Sequence, residues 1–269
     1  MTNGSRPQPA PGPIALDAQR IRSRLNRSTA TLRVEREVDS TNTRLAALRA
    51  GGEAVDILLA EAQSAGRGRR GRRWISPPGG LYLSLYRRFS GPVRRLEALG
   101  LVAGLAGAAA IERCCGLRAG LKWPNDIQID GRKVAGCLID LGGRRDGASA
   151  IIGIGINVDF RGQTAPDQPW TDLATTTGQA TDRNRLAAAL IDQLAEDLDT
   201  FDDQGFAAMQ ARWARRDVLA GCAVLASGPG TTMIRGQAQG VDESGRLLIQ
   251  TPQGLRRLHG GEISLRTNS

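Results

Sequence analysis

Residues 63–74 read Gln-Ser-Ala-Gly-Arg-Gly-Arg-Arg-Gly-Arg-Arg-Trp, and they run straight into Ile75-Ser-Pro-Pro-Gly-Gly80. The junction of these two stretches decides between fold classes. Gly66-Arg-Gly-Arg-Arg-Gly71 matches G-x-G-x-x-G, the mark of a strand that turns tightly into a helix beneath a dinucleotide. A helix cannot start cleanly through Arg72, Arg73 and Trp74 and then Pro77, Pro78, Gly79 and Gly80, so the doubly wound reading fails. A Walker A sequence is missing as well. What remains is a flexible loop behind a strand expected at residues 57–63. Its glycines let backbone N–H groups approach an anion closely. Its arginines can hold phosphate or carboxylate in bidentate pairs. Trp74 can cover an apolar or aromatic ligand. On these residues alone, a solvated arginine loop or an RNA contact reads equally well.

Working outward, residues 15–25 form an amphipathic helix candidate and residues 34–38 a strand. Asp39-Ser40-Thr41-Asn42 precedes the apolar positions Leu45 and Leu48, and Asp and Ser are good N-caps, so a strand turns into a helix there. Residues 81–89 alternate as a strand does, with Leu81, Leu83 and Leu85 on one face and Tyr82, Ser84 and Tyr86 on the other. Residues 96–113 predict a helix. Four β-rich runs follow, at 120–123, 127–129, 134–141 and 150–158, separated by Pro-Asn-Asp, Asp-Gly and Gly-Gly turns. Leu186, Leu190, Leu194 and Leu198 recur at i, i+4, which predicts a helix over 182–201, continued at 206–216. After Asp217 the texture changes to short strands at 222–226, 231–239, 246–251 and 254–259, the pattern of a small barrel. The expected class is α+β, a mixed β-sheet backed by helices and followed by a small β-barrel. The expected division is a disordered Pro-rich tail over 1–13, a main domain over 14–216 and a small domain over 217–269.

Composition narrows the function. The chain has 269 residues and a formal net charge of +9, which invites a nucleic-acid reading. Arg67, Arg69, Arg70, Arg72 and Arg73 supply five of those charges, so the excess is a local patch and suits a small polyanion. With aromatics at 4% and no recognition-helix motif, the chain makes a poor base-stacking module. His259 is the single histidine, which argues against a Ser-His-Asp mechanism and against His-rich metal sites. Cys114, Cys115, Cys137 and Cys222 lack metal-ligand spacing and read as reduced thiols. Residues 1–13 hold four prolines and no apolar core, so they are no signal peptide. Residues 96–111 are apolar but contain Glu97 and many small residues, which reads as a core helix. No membrane span is expected, and the cytoplasm is the expected compartment.

Three further motifs are weak singly. Lys122-Trp-Pro-Asn-Asp126 sets a lysine and an aspartate on either side of a turn. Gly131-Arg-Lys-Val-Ala-Gly136 brings a lysine into a strand beside small residues. Gly153-Ile-Gly-Ile-Asn157 is a strand with room for a flat ligand, or simply a tightly packed central strand. In combination and order they are specific. With Ser40-Thr-Asn42, the loop through Trp74 and the terminal Gly260-Gly-Glu-Ile-Ser-Leu-Arg266, they resemble the biotin–protein ligase family, the bacterial biotin–[acetyl-CoA-carboxylase] ligases. The resemblance runs from about residue 14 to 269. Only the Pro-rich tail and one short helix precede it, so the monofunctional type is implied, with no DNA-binding domain and no repressor function. Lipoate–protein ligases share the fold but differ at the arginine loop.

The resemblance implies a biotin/lipoate ligase-like catalytic domain and an SH3-like terminal barrel. It implies two steps: MgATP and biotin give biotinyl-5′-AMP, and a lysine of the biotin carboxyl carrier protein of acetyl-CoA carboxylase then takes the biotin. Ser40, Thr41, Asn42, Gln63, Arg67, Gly68, Arg69, Lys133 and Gly136 would contact biotin. Arg69, Arg72, Trp74, Lys122 and Asn157 would contact ATP or the adenylate, Asn157 by a hydrogen bond to adenine. Arg67, Lys133 and Asp126 would act at the reacting centre. Magnesium would arrive with ATP and not on a protein metal site. Trp170, in the polar segment 161–172, and Arg266 are weaker candidates for the nucleotide. No nucleic-acid partner is expected, and the family includes monomers and homodimers.

Overall fold

The computed structural model describes residues 13–26, 30–144, 147–161, 169–228, 231–260 and 264–267. The Pro-rich segment 1–12, part of the polar segment 161–172 and residues 261–263 of the terminal motif lie outside them.

A short helix α1 (Ala18–Arg22) leads into β1 (Leu32–Val38), α2 (Thr41–Ala50) and β2 (Ile57–Gln63). β1 and β2 run parallel, Leu32 opposite Ile57 and Val38 opposite Gln63, with α2 as the crossover. β3 (Leu81–Phe89) returns antiparallel to β2. Helix α3 (Leu99–Cys115) then carries the chain to β4 (Gly120–Lys122), β5 (Asp126–Ile129), β6 (Arg132–Arg144) and β7 (Gly147–Ile156). These four form an antiparallel meander, and β7 docks on β3. The result is a seven-stranded mixed sheet in the order β1-β2-β3-β7-β6-β5-β4.

Both faces of this sheet are covered, which explains why β2 reads as a continuous apolar run. Ile57 and Leu59 point into the main core, and Leu58 into a second cluster with Leu45, Leu48 and Val55 under α2. The main core is closed by α3 and by α5 (Arg183–Gln204), which follows a short α4 (Leu173–Thr177). Leu186, Leu190, Leu194 and Leu198 of α5 are each fully buried, and each such side chain contributes roughly 1.5–3 kcal/mol by leaving water. Asp182 caps α5 by accepting from the Asn184 and Arg185 amides. α3 lies close on the strands because its inner face is glycine: a Cβ at Gly107 would stand 2.5 Å from Ile127 Cδ1. The stretch Val93–Cys115 is long and apolar enough to cross a membrane, but 67% of its apolar 18-residue window is buried inside the fold as a core element.

Helix α6 (Ala207–Ala214) leads to β8 (Ala223–Gly228), β9 (Thr231–Val241), β10 (Leu247–Thr251), β11 (Gly254–Leu258) and β12 (Ser264–Thr267). They form an antiparallel sheet in the order β11-β10-β9-β8-β12. No pairing between β11 and β12 is present among the described residues, so the five strands, where a small barrel is expected, form a sheet that is not closed there. This unit sits against the main sheet near the site. Trp123 Nε1 donates to Gly245 O at 3.1 Å, and Leu121 exchanges backbone bonds with Arg216 and Val218.

Several element bounds and environments differ from the expectation. The helix expected over 15–25 shrinks to five residues, because Ile14, Ala15, Leu16 and Asp17 are used as a strap: Arg183 and Asn184 donate to the Ile14 and Ala15 carbonyls, while Glu61 accepts from the Leu16 amide. The strand expected at 134–141 extends to both sides, since the β6–β7 hairpin keeps pairing to Arg144 and Gly147. Strand β12 adds to the four terminal strands expected. Ser84 and Tyr82 are as buried as the leucines of β3, so the polar side of that strand faces protein and not water.

Candidate active site

A cavity of about 750 Å³ opens where the carboxyl end of β2, the start of α2, loop 64–80 and the β4–β5 turn meet over strands β6 and β7. Its lining carries seven cationic side chains, Arg67, Arg69, Arg70, Arg72, Arg73, Lys122 and Lys133, against one carboxylate, Asp126. An excess of that size around one concavity is an anion site.

One end is a buried polar network. Gln63 Oε1 accepts from the Thr41 amide at 2.8 Å and the Thr41 hydroxyl at 3.2 Å. Its Nε2 donates to Ser76 Oγ at 2.8 Å, and Ser76 Oγ donates to the Trp74 carbonyl at 3.1 Å. Ser84 Oγ lies 2.8 Å from Thr41 Oγ1 and 2.6 Å from Asn42 Oδ1. Ser40 sits at the N-cap of α2 but makes no side-chain capping bond, contrary to the simple capping expectation. A hydroxyl and amide cluster with exchangeable donors and acceptors suits a ligand that is polar at both edges.

The other end is ionic and aromatic. Lys133 Nζ lies 2.5 Å from Asp126 Oδ1 and 5.1 Å from the Trp74 ring centroid. Trp74 lies on the bare backbone of β7 and β6: Cβ atoms at Gly155 and Gly136 would stand 2.6 Å and 3.4 Å from its indole. Its Nε1 is buried against the Gly155 backbone with no hydrogen-bond partner among the described residues. Arg69 reaches across to donate to Asn125 Oδ1 at 3.3 Å, joining the loop to the Lys122–Asp126 turn. Burial, with Arg70 and Arg72 nearby, lowers the Arg69 pKa from its usual value, and Asp126 partly offsets this. Arg70 takes a left-handed backbone at φ 60° next to Gly71 at φ 69°, a conformation that costs energy for an arginine and marks the loop tip as shaped for use.

Two wall groups bear on mechanism. Burial pushes the Cys137 thiol up to about 12, so it is no nucleophile near neutrality. Burial also raises the Tyr82 phenol, whose hydroxyl donates to the Pro77 carbonyl at 2.7 Å. Among the described residues no group of three or more His, Cys, Asp or Glu side chains could hold a metal ion.

Most sequence-derived candidates line this cavity: Ser40, Thr41, Asn42, Gln63, Arg67, Gly68, Arg69, Arg72, Trp74, Lys122, Asp126, Lys133 and Gly136. Asn157 does not. It is buried below the wall, where Nδ2 donates to the Thr171 carbonyl at 3.0 Å. Trp170 packs on Phe160 with centroids 5.9 Å apart and bridges to Lys133 through the backbone. Arg266 lies in β12, paired opposite Leu225, and its side chain falls outside the described residues. Sequence reasoning missed Ser76, Ser84 and Asp140. Each lies in or beside a strand among apolar neighbours, and no sequence signal distinguishes it from an ordinary polar position.

Residues 34–157 match the model of the biotin/lipoate A/B protein ligase family, and residues 224–266 match the biotin protein ligase C terminal domain. The bifunctional ligase/repressor BirA of Salmonella typhimurium is 39% identical over 267 residues, covering 96% of this chain and 81% of that protein. The chain belongs to the biotin/lipoate protein ligase family. A biotin--[acetyl-CoA-carboxylase] ligase of Paracoccus denitrificans is 34% identical, covering 84% of this chain and 96% of that protein. In three dimensions the chain resembles the biotin protein ligase of Aquifex aeolicus solved in complex with biotin and ATP. The TM-score is 0.75 at 32% identity, covering 88% of this chain and 99% of that one. Family membership gives the cationic cavity its chemical context, acyl activation by a nucleotide.

Proposed function

We infer that this chain is an ATP-dependent biotin–protein ligase. The observation that carries the reading is the two-ended cavity, with the Thr41–Gln63–Ser84 polar network at one end and Lys133, Arg69 and Trp74 at the other. The first end suits a ureido ring and the second a carboxylate joined to a nucleotide.

In the first step an oxygen of the biotin carboxylate attacks the α-phosphorus of ATP. The bond to the bridging oxygen breaks, and pyrophosphate leaves with its electron pair. Two anionic groups must approach, and Lys133 between them lowers that cost because the charges are fixed before reaction. Arg69 and Arg72 hold phosphate oxygens in the same way. Magnesium would come with ATP as part of that substrate and would supply charge neutralisation for the departing pyrophosphate. The product, biotinyl-5′-AMP, is a mixed anhydride, and the loop at 64–80 covers it against water. Trp74 packs on the adenine with the face of its indole.

In the second step the amine of a carrier-protein lysine attacks the acyl carbon, and AMP leaves. An ordinary lysine must first lose a proton, which at pH 7 costs about 4.6 kcal/mol. Asp126 orients this amine. Its 2.5 Å contact with Lys133 supports that role. No enzyme nucleophile is required, in keeping with the inert Cys137 thiol.

The acceptor is the biotin carboxyl carrier protein of acetyl-CoA carboxylase, and the reaction is cytoplasmic. The test is pyrophosphate exchange into ATP with biotin or lipoate, followed by intact mass of a carrier domain incubated with enzyme, ATP, magnesium and biotin. Biotin-dependent exchange and a biotin-sized mass gain are expected. Exchange supported by lipoate and not by biotin would overturn the substrate.

A further inference from the structure

Asp140 lies in β6 opposite Ile151, outside the cavity lining. Its carboxylate nevertheless joins two parts of the wall that are far apart in sequence. Oδ2 accepts from Arg67 Nη1 at 3.0 Å and from Asn42 Nδ2 at 3.0 Å, while Oδ1 accepts from Arg67 Nη2 at 3.4 Å. Arg67 belongs to the arginine loop and Asn42 to the first turn of α2. Asn42 is itself oriented, with Oδ1 toward Ser84 at 2.6 Å and Nδ2 toward Asp140. It lies on the bare backbone of Gly153, where a Cβ would crowd the side-chain amide. Asp140 therefore has a fixed second partner, and its position does not depend on the loop.

The loop needs such a tether. Arg67, Arg69, Arg70, Arg72 and Arg73 repel one another, and its three glycines give it little stiffness. Its far end is held by Trp74 lying on Gly155 and Gly136. Its near end is held by the Arg67–Asp140 pair, a forked guanidinium on a carboxylate, the geometry that fixes position as well as charge. The side chains are 49% and 35% exposed, so the pair can open and close in solvent and is no permanent strut.

We propose that Asp140 is a positioning residue that latches the arginine loop over the biotin end of the cavity through Arg67. This rests on the ligase reading only where it assigns biotin to that end. The latch itself is a statement about the unliganded chain. Arg67 then acts first as the loop's anchor on the sheet.

The test uses the full chain as Asp140→Asn, Asp140→Glu, Arg67→Met and the Asp140→Asn/Arg67→Met double variant. The first readout is the rate of trypsin cleavage in the loop without ligand, since the arginines that remain are sites. Losing one charge-assisted pair at a partly exposed site should speed cleavage by about twofold to fivefold in Asp140→Asn. Asp140→Glu should recover part of the protection. In the Arg67→Met background Asp140→Asn should add nothing. The second readout is pyrophosphate exchange, where KM for biotin should rise by a similar factor in Asp140→Asn with kcat within about twofold, the pattern of lost binding without lost chemistry. Loop cleavage as slow in Asp140→Asn as in wild type, or effects that add in the double variant, would overturn the latch. A fall in kcat at unchanged KM would overturn its role in biotin retention. Biotin-independent behaviour of the wild-type enzyme would refute the ligase reading, while the cleavage rates would still decide the latch.

Discussion

Gly155→Ala is the sharpest test of how the nucleotide end is built. The added methyl group would stand 2.6 Å from Trp74 Nε1, 2.9 Å from Cε2 and 3.2 Å from Cζ2. Ordinary contact begins at 3.4 Å, so the indole must lift off the sheet by most of an ångström at its closest atom. The strand cannot yield instead, because β7 is paired along its length with β3 on one side and β6 on the other. Overpacking of this kind costs about 1–3 kcal/mol where the neighbours are fixed. Here the neighbour is a loop side chain, so global stability should fall by less than about 1 kcal/mol, and the cost moves to the ligand. If the indole packs on adenine, the same 1–3 kcal/mol becomes a rise of roughly 5- to 150-fold in KM for ATP. KM for biotin should change little, because Gln63, Thr41 and Asn42 are untouched.

The assay is pyrophosphate exchange with ATP and biotin varied separately. Gly136→Ala is the matched control: its Cβ would meet Trp74 at 3.4 Å and Lys133 Cε at 3.3 Å, close to ordinary contact, so its effect on ATP should be far smaller. Trp74→Ala supplies the second control, since removing the indole should make Gly155→Ala silent. An unchanged KM for ATP in Gly155→Ala, or the same increment with and without the indole, would refute the reasoning.

Three other outcomes follow from the same geometry. Asp126→Asn should leave biotin-dependent exchange within about threefold and slow transfer from preformed adenylate to the carrier by about tenfold or more, as loss of an orienting group does; full transfer would remove Asp126 from the second step. Arg69→Gly should shorten retention of biotinyl-AMP by about tenfold while adenylate synthesis falls less, because it cuts the bridge to Asn125 that closes the loop; stopped-flow release at the wild-type rate would contradict this. Asp217 has a buried Oδ2 with no partner among the described residues, and burial raises its carboxyl pKa from 3.8 to about 6. The native chain then binds more protons than the unfolded chain inside that window, so stability falls as pH rises through it. Asp217→Asn keeps the Oδ1 acceptor for the Leu219 amide and should gain about 1–2 kcal/mol at pH 8. Urea melts should show no such gain near pH 3.5, and an equal gain at both values would show that charge is not the cause.

How much of this could be read from sequence depended on how local each feature is. α5 is visible because its four leucines lie one turn apart and its cap, Asp182, precedes them directly. β2 is visible because both of its faces are apolar. α4 leaves no trace, being five residues long with three threonines, and it stands because Asp172 caps it by accepting from the Thr175 amide and hydroxyl. β12 needs β8 to exist, and nothing in Ser-Leu-Arg-Thr announces that partner. The cavity residues that sit in motifs were found through the motifs. Asp140 was not, because its partners Asn42 and Arg67 lie 98 and 73 residues away and meet only when β6 passes beneath both. Asn157, a motif position, lies outside the cavity lining and holds the Thr171 carbonyl through Nδ2, a contact between residues 14 apart that the motif does not announce.

The arginine loop ties these observations together through its charge. Seven cations around one cavity repel one another, and Asp126 alone among the lining groups opposes them. The fold supplies a tether at each end, Asp140 on Arg67 and the bare glycines under Trp74. The tip of the loop, where Arg70 adopts a left-handed backbone, is exposed at Arg70, Gly71 and Arg72. Asp126 and Asp140 supply part of the counter-charge, and on the ligase reading a nucleoside triphosphate with a carboxylate supplies more at the point where the bond is made. The groups that favour the reaction are then the same groups whose mutual repulsion keeps the loop ready to open. On the ligase reading, closure is favoured by substrate charge, and it weakens when transfer to the carrier and departure of AMP remove that charge.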